Sequence, residues 1–347
     1  MVTTGGPPTV ETIAERAGVS IASVSRVLNG RGGRPDTVRK VERAAAEVGY
    51  VPNAVARSLK GGRSMQLTFA MQDIGNPVYV AMVRQIQTIA KEAGYRLLLH
   101  STDAVVEDEL AVLRSLADRT SDGLILCPIR ITPEHIEALS TAARPVVVIG
   151  SLPDGVPVDS VRADSVTGAE LAVRHLVETG RRRIAFVNGP ADTVPGRNRQ
   201  RGYHQALTGC GVPADPALVE TTDFTVEAGS AAAHRLLDTV PGVDAFFCAN
   251  DQLALGAAQA LHSRELRIPG DVAVVGMDDT ALVRAGWPPL SSVDLGSAER
   301  GRIAARMLLE RISEESAGSS EPAPARVRTV TPRLVVRASS HTAEVTE

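Results

Sequence analysis

Beyond residue 64 the chain repeats one pattern, and that pattern leaves few folds open. Short runs rich in Val, Ile, Leu and Ala, bounded by glycine, proline or polar residues, alternate with longer stretches that are apolar at helical spacing. Strands followed by helices in this way close into a parallel sheet with helices on both faces. Strands are expected at 67–71, 96–101, 123–127 and 146–149, with helices at 77–93, 106–118 and 133–142. From Val161 the series starts again, with strands at 184–187, 218–221, 245–249 and 272–276 and helices at 165–178, 197–207, 225–237 and 251–261. Segments 293–295 and 329–337, flanking a helix at 297–312, are expected to carry the chain back across the two halves. The sequence therefore predicts two doubly wound lobes in tandem with a cleft between them. Ligands of open α/β sheets bind beyond the carboxyl ends of the strands, so the polar residues just after each strand are the candidates. Those residues are Asp73, Asn76 and Tyr79, then Arg197, Phe224, Asn250 and Asp278.

The first sixty residues follow different rules. Thr9 can cap a helix in which Val10, Ile13, Ala14 and Ala17 share a face, and Gly18 can end it. Ser20 can cap a second short helix whose Val24, Val27 and Leu28 face inward, leaving Ile21, Ala22, Ser25, Arg26 and Asn29 outward. Two short helices joined by Ala-Gly-Val-Ser make a helix-turn-helix, whose second helix can enter a major groove. A third helix, 35–48, carries the stripe Val38, Val41, Ala44, Ala45 and Val48. Charge agrees with this division. The whole chain is −3, yet residues 1–63 hold ten Arg and Lys against five Asp and Glu, a basic head on an acidic body.

The stretch TVETIAERAGVSIASVSRVLNG (9–30), followed by GYVPNAVARSLK (49–60), resembles the head and hinge of the lactose-repressor (LacI/GalR) family, and the rest of the chain follows the same pattern. The resemblance implies an all-α helix-turn-helix head (1–50), a hinge helix and linker (51–63), and a two-lobed, periplasmic-binding-protein-like body (64–340). Within that body it implies one lobe of about 64–159 plus 294–318 and another of about 160–292 plus 319–338. The polar tail from Ser339 on, with 341–347 beyond the fold, is expected to be disordered. In the head, Ile21 and Ala22 stand where family members read bases, and here both suit thymine methyl groups. Arg26 is the candidate for a guanine O6/N7 contact, Ser20, Ser23, Ser25, Asn29, Tyr50 and Asn53 are expected on phosphate and sugar, and Thr9 is expected at the DNA interface as well. Arg34 stands where many members carry a capping Ser or Thr. In the hinge, Leu59, flanked by Ala56 and Lys60, is the expected minor-groove wedge.

The resemblance also implies that an arginine of R-x-R-x-x-G, taken as Arg197, meets the effector opposite Asp278. Arginine donates in a fork and aspartate accepts, a pair suited to a polyhydroxylated ligand. Phe224 offers an apolar face, and Asp279 is expected to brace its loop. Gly150 occupies a position where the family often has a ligand-binding acid. A sugar or sugar derivative is the leading effector, a purine or nucleoside or a controlling protein the alternative. Without a leucine-heptad tail the expected state is a homodimer on palindromic DNA, with repression the expected role. Trp287 could line the cleft or pack, and Arg181-Arg182-Arg183 reads as a solvated turn.

Other classes of function find little support. There is no P-loop, Rossmann fingerprint or nucleophile elbow, so neither an enzyme nor a cofactor is expected. The cysteines, Cys127, Cys210 and Cys248, lack metal spacing. No apolar stretch is long enough to cross a membrane, and residues 1–9 do not read as a secretory signal, so the expected location is cytoplasmic.

Overall fold

The computed structural model describes residues 8–28, 32–50, 63–317 and 324–341, and the chain divides into two compact units, 1–64 and 65–347. In the first unit α1 (Val10–Ala17), α2 (Ile21–Leu28) and α3 (Pro35–Glu47) enclose a small core of Ile13, Ala14, Val24, Val41 and Ala44. Thr9 caps α1 in a reciprocal box with Thr12, each hydroxyl accepting from the other's backbone N–H. Gly18 ends α1 at φ 64°, a left-handed conformation that is cheap only without a Cβ, and so the chain turns into α2. Ser20 accepts from Ser23 N at 3.2 Å, satisfying one of the first N–H groups of α2. Arg34 precedes α3 without a side-chain cap, and Pro35 at the first helical position takes over the start.

The second unit holds two six-stranded sheets. The first contains β1 (Gln66–Met71), β2 (Arg96–Ser101), β3 (Gly123–Cys127), β4 (Val146–Ile149), β5 (Asp159–Ala163) and β11 (Val327–Val330), in the order β11-β5-β4-β3-β1-β2. The second contains β6 (Ile184–Asn188), β7 (Val219–Thr221), β8 (Ala245–Cys248), β9 (Ala273–Met277), β10 (Ser291–Asp294) and β12 (Arg333–Val335), in the order β12-β10-β9-β8-β6-β7. All pairings are parallel except β10 with β12. β1, β3 and β4 are buried almost throughout, as are β6, β8 and β9, which explains their continuous apolar runs. In the second lobe Phe186 stacks between Tyr203 and Phe247, with centroids 4.9 and 5.0 Å apart.

The helices of the first sheet are α4 (Pro77–Glu92), α5 (Val106–Ser115), α6 (Pro133–Ser140) and α12 (Ser297–Ser316). Those of the second are α7 (Ser165–Glu178), α8 (Val194–Gly209), α9 (Val226–Thr239), α10 (Asp251–Ser263) and the short α11 (Ala281–Ala285). Most begin on a polar cap that follows a strand: Asn76, Thr132, Asp164, Thr193, Thr225 and Asn250. In both lobes the strand order reverses beside the first strand, between β1 and β3 and between β6 and β8, and crevices open at such points.

Three details depart from the sequence reading. β5 pairs with β4, so the first lobe runs through Ala163 and the second does not begin at 160. The segment expected as one strand at 329–337 is two: β11 joins β5 in the first sheet and β12 joins β10 in the second. The assignment of 319–338 to the second lobe therefore fails for β11. Local composition cannot reveal this, because a strand's sheet is chosen by its edge partner. Finally, Ser339 and Ser340 are buried rather than part of a loose tail. Ser339 Oγ donates to Val274 O and accepts from Ser291 N at 2.7 Å, strapping the chain onto the second sheet.

Candidate effector cleft and DNA-reading face

On the head, the residues expected to read bases lie on the outward face of α2. Ile21 is 47% exposed, Ala22 and Arg26 are exposed, and Arg26 makes no ion pair with a described residue. Ser23 and Ser25 are half-buried, and the Ser20 and Ser23 hydroxyls lie 2.9 Å apart. Thr9 and Ser20 are thus engaged as helix caps, with their oxygens already accepting backbone N–H groups. Tyr50 is half-buried and packs against the head core, its N–H donating to Ala45 O. Asn29, Asn53, Ala56, Leu59 and Lys60 lie outside the described residues.

In the body, a cleft lined from both lobes opens between the two sheets. Its first-lobe wall carries Gln72, Asn76, Tyr79, Cys127, Gly150 and Arg300, and its second-lobe wall Ser165, Asn198, Arg199, Phe224, Asn250 and Asp278. Asn76 and Asn250 serve two structural ends at once. Each caps its helix, Asn76 accepting from Val78 N at 3.1 Å and Asn250 from Leu253 N at 2.8 Å, and each borders the cleft.

Arg199 is the arginine that enters this cleft. It is buried, donates through Nη1 to Ala249 O, and points Nη2 toward Asp278 Oδ1 at 3.5 Å. Its guanidinium carbon sits 5.8 Å from the centroid of the Phe224 ring, within cation–π range. A Cβ on Gly189 would fall 2.0 Å from that ring, so only glycine lets Phe224 lie over the end of β6. Burial lowers the Arg199 pKa. It raises that of Asp278, against the pull of Arg199 and Arg300. Behind Asp278, Asp251 is pushed up to about 7 by burial and by the Asp278 charge, though it accepts from Thr280 N and Ser292 Oγ, both at 2.6 Å. Burial pushes the Cys127 thiol up to about 12 and the Tyr79 hydroxyl well above its ordinary value, so both present neutral groups.

Arg197, which the sequence reading placed on the ligand, does not line the cleft. It is exposed, and its Nη1 donates to Asp192 O at 2.8 Å. The reason is the start of α8. The helix begins at Val194, capped by Thr193 with Pro195 in the first turn, three residues earlier than expected. On that register Val194, Pro195, Asn198 and Arg199 share the cleft side and Arg197 turns away. Asp73 is likewise outside the cleft lining; its Oδ1 accepts from Gly75 N at 2.7 Å in a surface turn.

Sequence reasoning missed Arg300, Gln72, Asn198 and Ser165. Arg300 lies at the start of α12, far along the chain from the other wall residues, and no local motif marks it. Asp279 braces its loop as expected: it sits at φ 47°, its N–H donates to Ser292 Oγ, and its carboxylate pairs with Arg337 at 2.6 Å. Trp287 neither lines the cleft nor packs within the chain, being 97% exposed. Arg181 is not merely solvated, since its guanidinium donates to the carbonyls of Asp244, Pro269 and Asp271. Among the described residues no group of His, Cys, Asp and Glu could hold a metal ion, and no helix is long and apolar enough to cross a membrane.

The two lobes also touch directly at the cleft mouth. Arg130, after β3, makes two hydrogen bonds to the Asp192 carboxylate at 2.6 and 3.1 Å. Beside them Val194 N donates to Ile129 O at 2.8 Å.

Comparison with known proteins places this architecture. Residues 9–53 match the bacterial regulatory proteins of the lacI family, and residues 173–340 match the periplasmic binding protein-like domain. The chain is 37% identical over 318 residues to the HTH-type transcriptional regulator CelR of Thermobifida fusca, covering 89% of this chain and 93% of that protein. It is 32% identical over 314 residues to catabolite control protein A of Priestia megaterium, covering 90% and 95%. Among solved structures it resembles a lac repressor dimer bound to operator and an anti-inducer, with a TM-score of 0.84, 28% identity and coverage of 97% and 100%. A CelR–cellobiose complex matches with a TM-score of 0.72 at 34% identity, covering 96% and 99%. With a helix-turn-helix head, a two-lobed body with a cleft at its strand ends, and relatives this similar along nearly the whole chain, the protein belongs to the lacI family of bacterial transcriptional regulators.

Proposed function

We propose that this chain is a repressor that binds a palindromic operator as a homodimer and releases or tightens its grip when a carbohydrate-like effector enters the cleft. The observation that carries the reading is Arg199, held between Asp278 and the Phe224 ring on the wall of that cleft. A hydroxylated ring can give a hydrogen bond to the carboxylate, take one from the guanidinium, and lay its apolar face on the aromatic ring. The similarity to a CelR–cellobiose complex supports a sugar as the chemical class. On the head, α2 presents Ile21, Ala22 and Arg26 to the base edges, with Ser23 and Ser25 beside them. Leu59 of the hinge inserts into the minor groove. The effector acts by changing how the two lobes close, which alters the spacing of the two hinges in the dimer.

The test is an anisotropy titration of the full chain against the DNA flanking its own gene, repeated with sugars and with nucleosides as the contrasting class. Tight, salt-sensitive binding to a palindrome that shifts with a sugar is the expected result. Specific binding that only a nucleoside shifts would overturn the effector class, and absence of any specific binding would overturn the operator reading.

A further inference from the structure

The charges on the cleft walls do not balance. The charged side chains among its lining residues are Arg199, Arg300 and Asp278, two cations against one acid. Both arginines are more than nine-tenths buried, at 7% and 8% exposure. Arg300 donates through Nη2 to Ser297 Oγ, a neutral group at 3.1 Å, and makes no ion pair with a described residue. The Nε atoms of Arg199 and Arg300 are both buried without a hydrogen-bond partner. The two guanidiniums lie close enough to perturb each other, and both act on the Tyr79 hydroxyl. The other polar groups lining the cleft near them, Tyr79, Cys127, Gln72, Asn76 and Asn198, carry no charge, and Asp251 acts on Arg199 from behind Asp278. A buried guanidinium with no direct ion pair and no partner for one N–H is costly, and buried charges are ordinarily paired.

We propose that the effector carries an oxyanion, a phosphate monoester or a carboxylate, on its hydroxylated ring, and that Arg300 from the first lobe and Arg199 from the second hold it together. This rests on the reading of the cleft as the effector site. Each guanidinium offers a planar fork matched to such a group, and an anion gripped from both walls draws the lobes closed. Asp278 and Asn250 are then left to read ring hydroxyls, and repulsion from Asp278 keeps the acidic group on the Arg300 side.

The experiment uses the full chain, with thermal shift and calorimetry. Glucose and cellobiose are compared with glucose 6-phosphate and glucuronate, and sodium phosphate with sodium chloride at equal ionic strength. At least one acidic probe is expected to bind tenfold or more tightly than its neutral counterpart, with inorganic phosphate raising Tm above the chloride control. Arg300→Gln should erase that preference and Arg300→Lys should keep part of it. Should Arg300→Gln fail to fold, the acidic-against-neutral comparison in the unaltered protein still decides. Neutral sugars binding as tightly as the acidic ones, or better, would overturn the oxyanion and leave the carbohydrate reading standing. Binding of nucleosides alone would overturn both. No response to any acidic probe, inorganic phosphate included, would also overturn the oxyanion, and the operator titration would then judge the effector reading by itself.

Discussion

Asp251 sits under the cleft with its carboxylate shared between Thr280 N and Ser292 Oγ, tying the start of α10 to the loop after β9 and to β10. Burial and the neighbouring Asp278 charge push its pKa to about 7, against about 3.9 for a free aspartate. The folded form therefore binds a proton more readily than the unfolded form, so this group's contribution is fully present below the free value and is lost as pH rises toward 7. Thermal melts from pH 4 to 8 should show Tm falling up to about pH 7 and levelling above it, and Asp251→Asn should flatten the fall; an unchanged slope in the variant would remove Asp251 as its cause. Arg199 and Arg197 give a sharper contrast two residues apart. Arg199→Ala removes a charged, buried donor facing Asp278 and should weaken effector binding by about 100-fold, roughly 3 kcal/mol. Arg197→Ala removes an exposed donor to a loop carbonyl and should change it by less than about threefold. Calorimetry on the two variants distinguishes this assignment from its reverse.

At the scale of elements, the clasp between the loops after β3 and β6 stands out. The Arg130–Asp192 pair leaves its side chains 29% and 65% exposed, so it adds little to stability. Its expected consequence is kinetic, because it bridges the lobes at the mouth of the proposed effector cleft. Asp192→Ala should lower Tm by no more than a degree or two while speeding effector release, read by stopped-flow. Release at the unaltered rate would make the pair a surface ornament only. Much of the element pattern was legible in the sequence, because buried parallel strands are uniformly apolar and helices announce themselves by caps such as Asn76, Thr132 and Asn250. The failures came at junctions. β5 and β11 read as belonging to the second lobe, and α8 was begun too late, since Pro195 and Gly196 in its first turn mimic a loop.

For the whole molecule, the segment 51–63 is expected to couple head to body, with Leu59 as its wedge. Leu59→Ala should weaken operator binding at least tenfold, measured by anisotropy; unaltered affinity would remove the wedge from the mechanism. The basic head should make operator affinity fall steeply with salt, whereas effector binding in a closed cleft should depend on salt far less. The sequence by itself determined the division into a basic helix-turn-helix head and two α/β lobes, because periodicity, capping and charge are local properties written along the chain. It also determined the strand ends at which the cleft opens, since parallel sheets leave their crevices there. Only the tertiary structure decided which arginine enters the cleft, because a shift in where α8 starts rotates Arg197 out and Arg199 in. Only it brought Arg300 beside them, because α12 reaches the cleft after the chain has crossed between lobes, and no pattern read along a sequence records which distant segments meet.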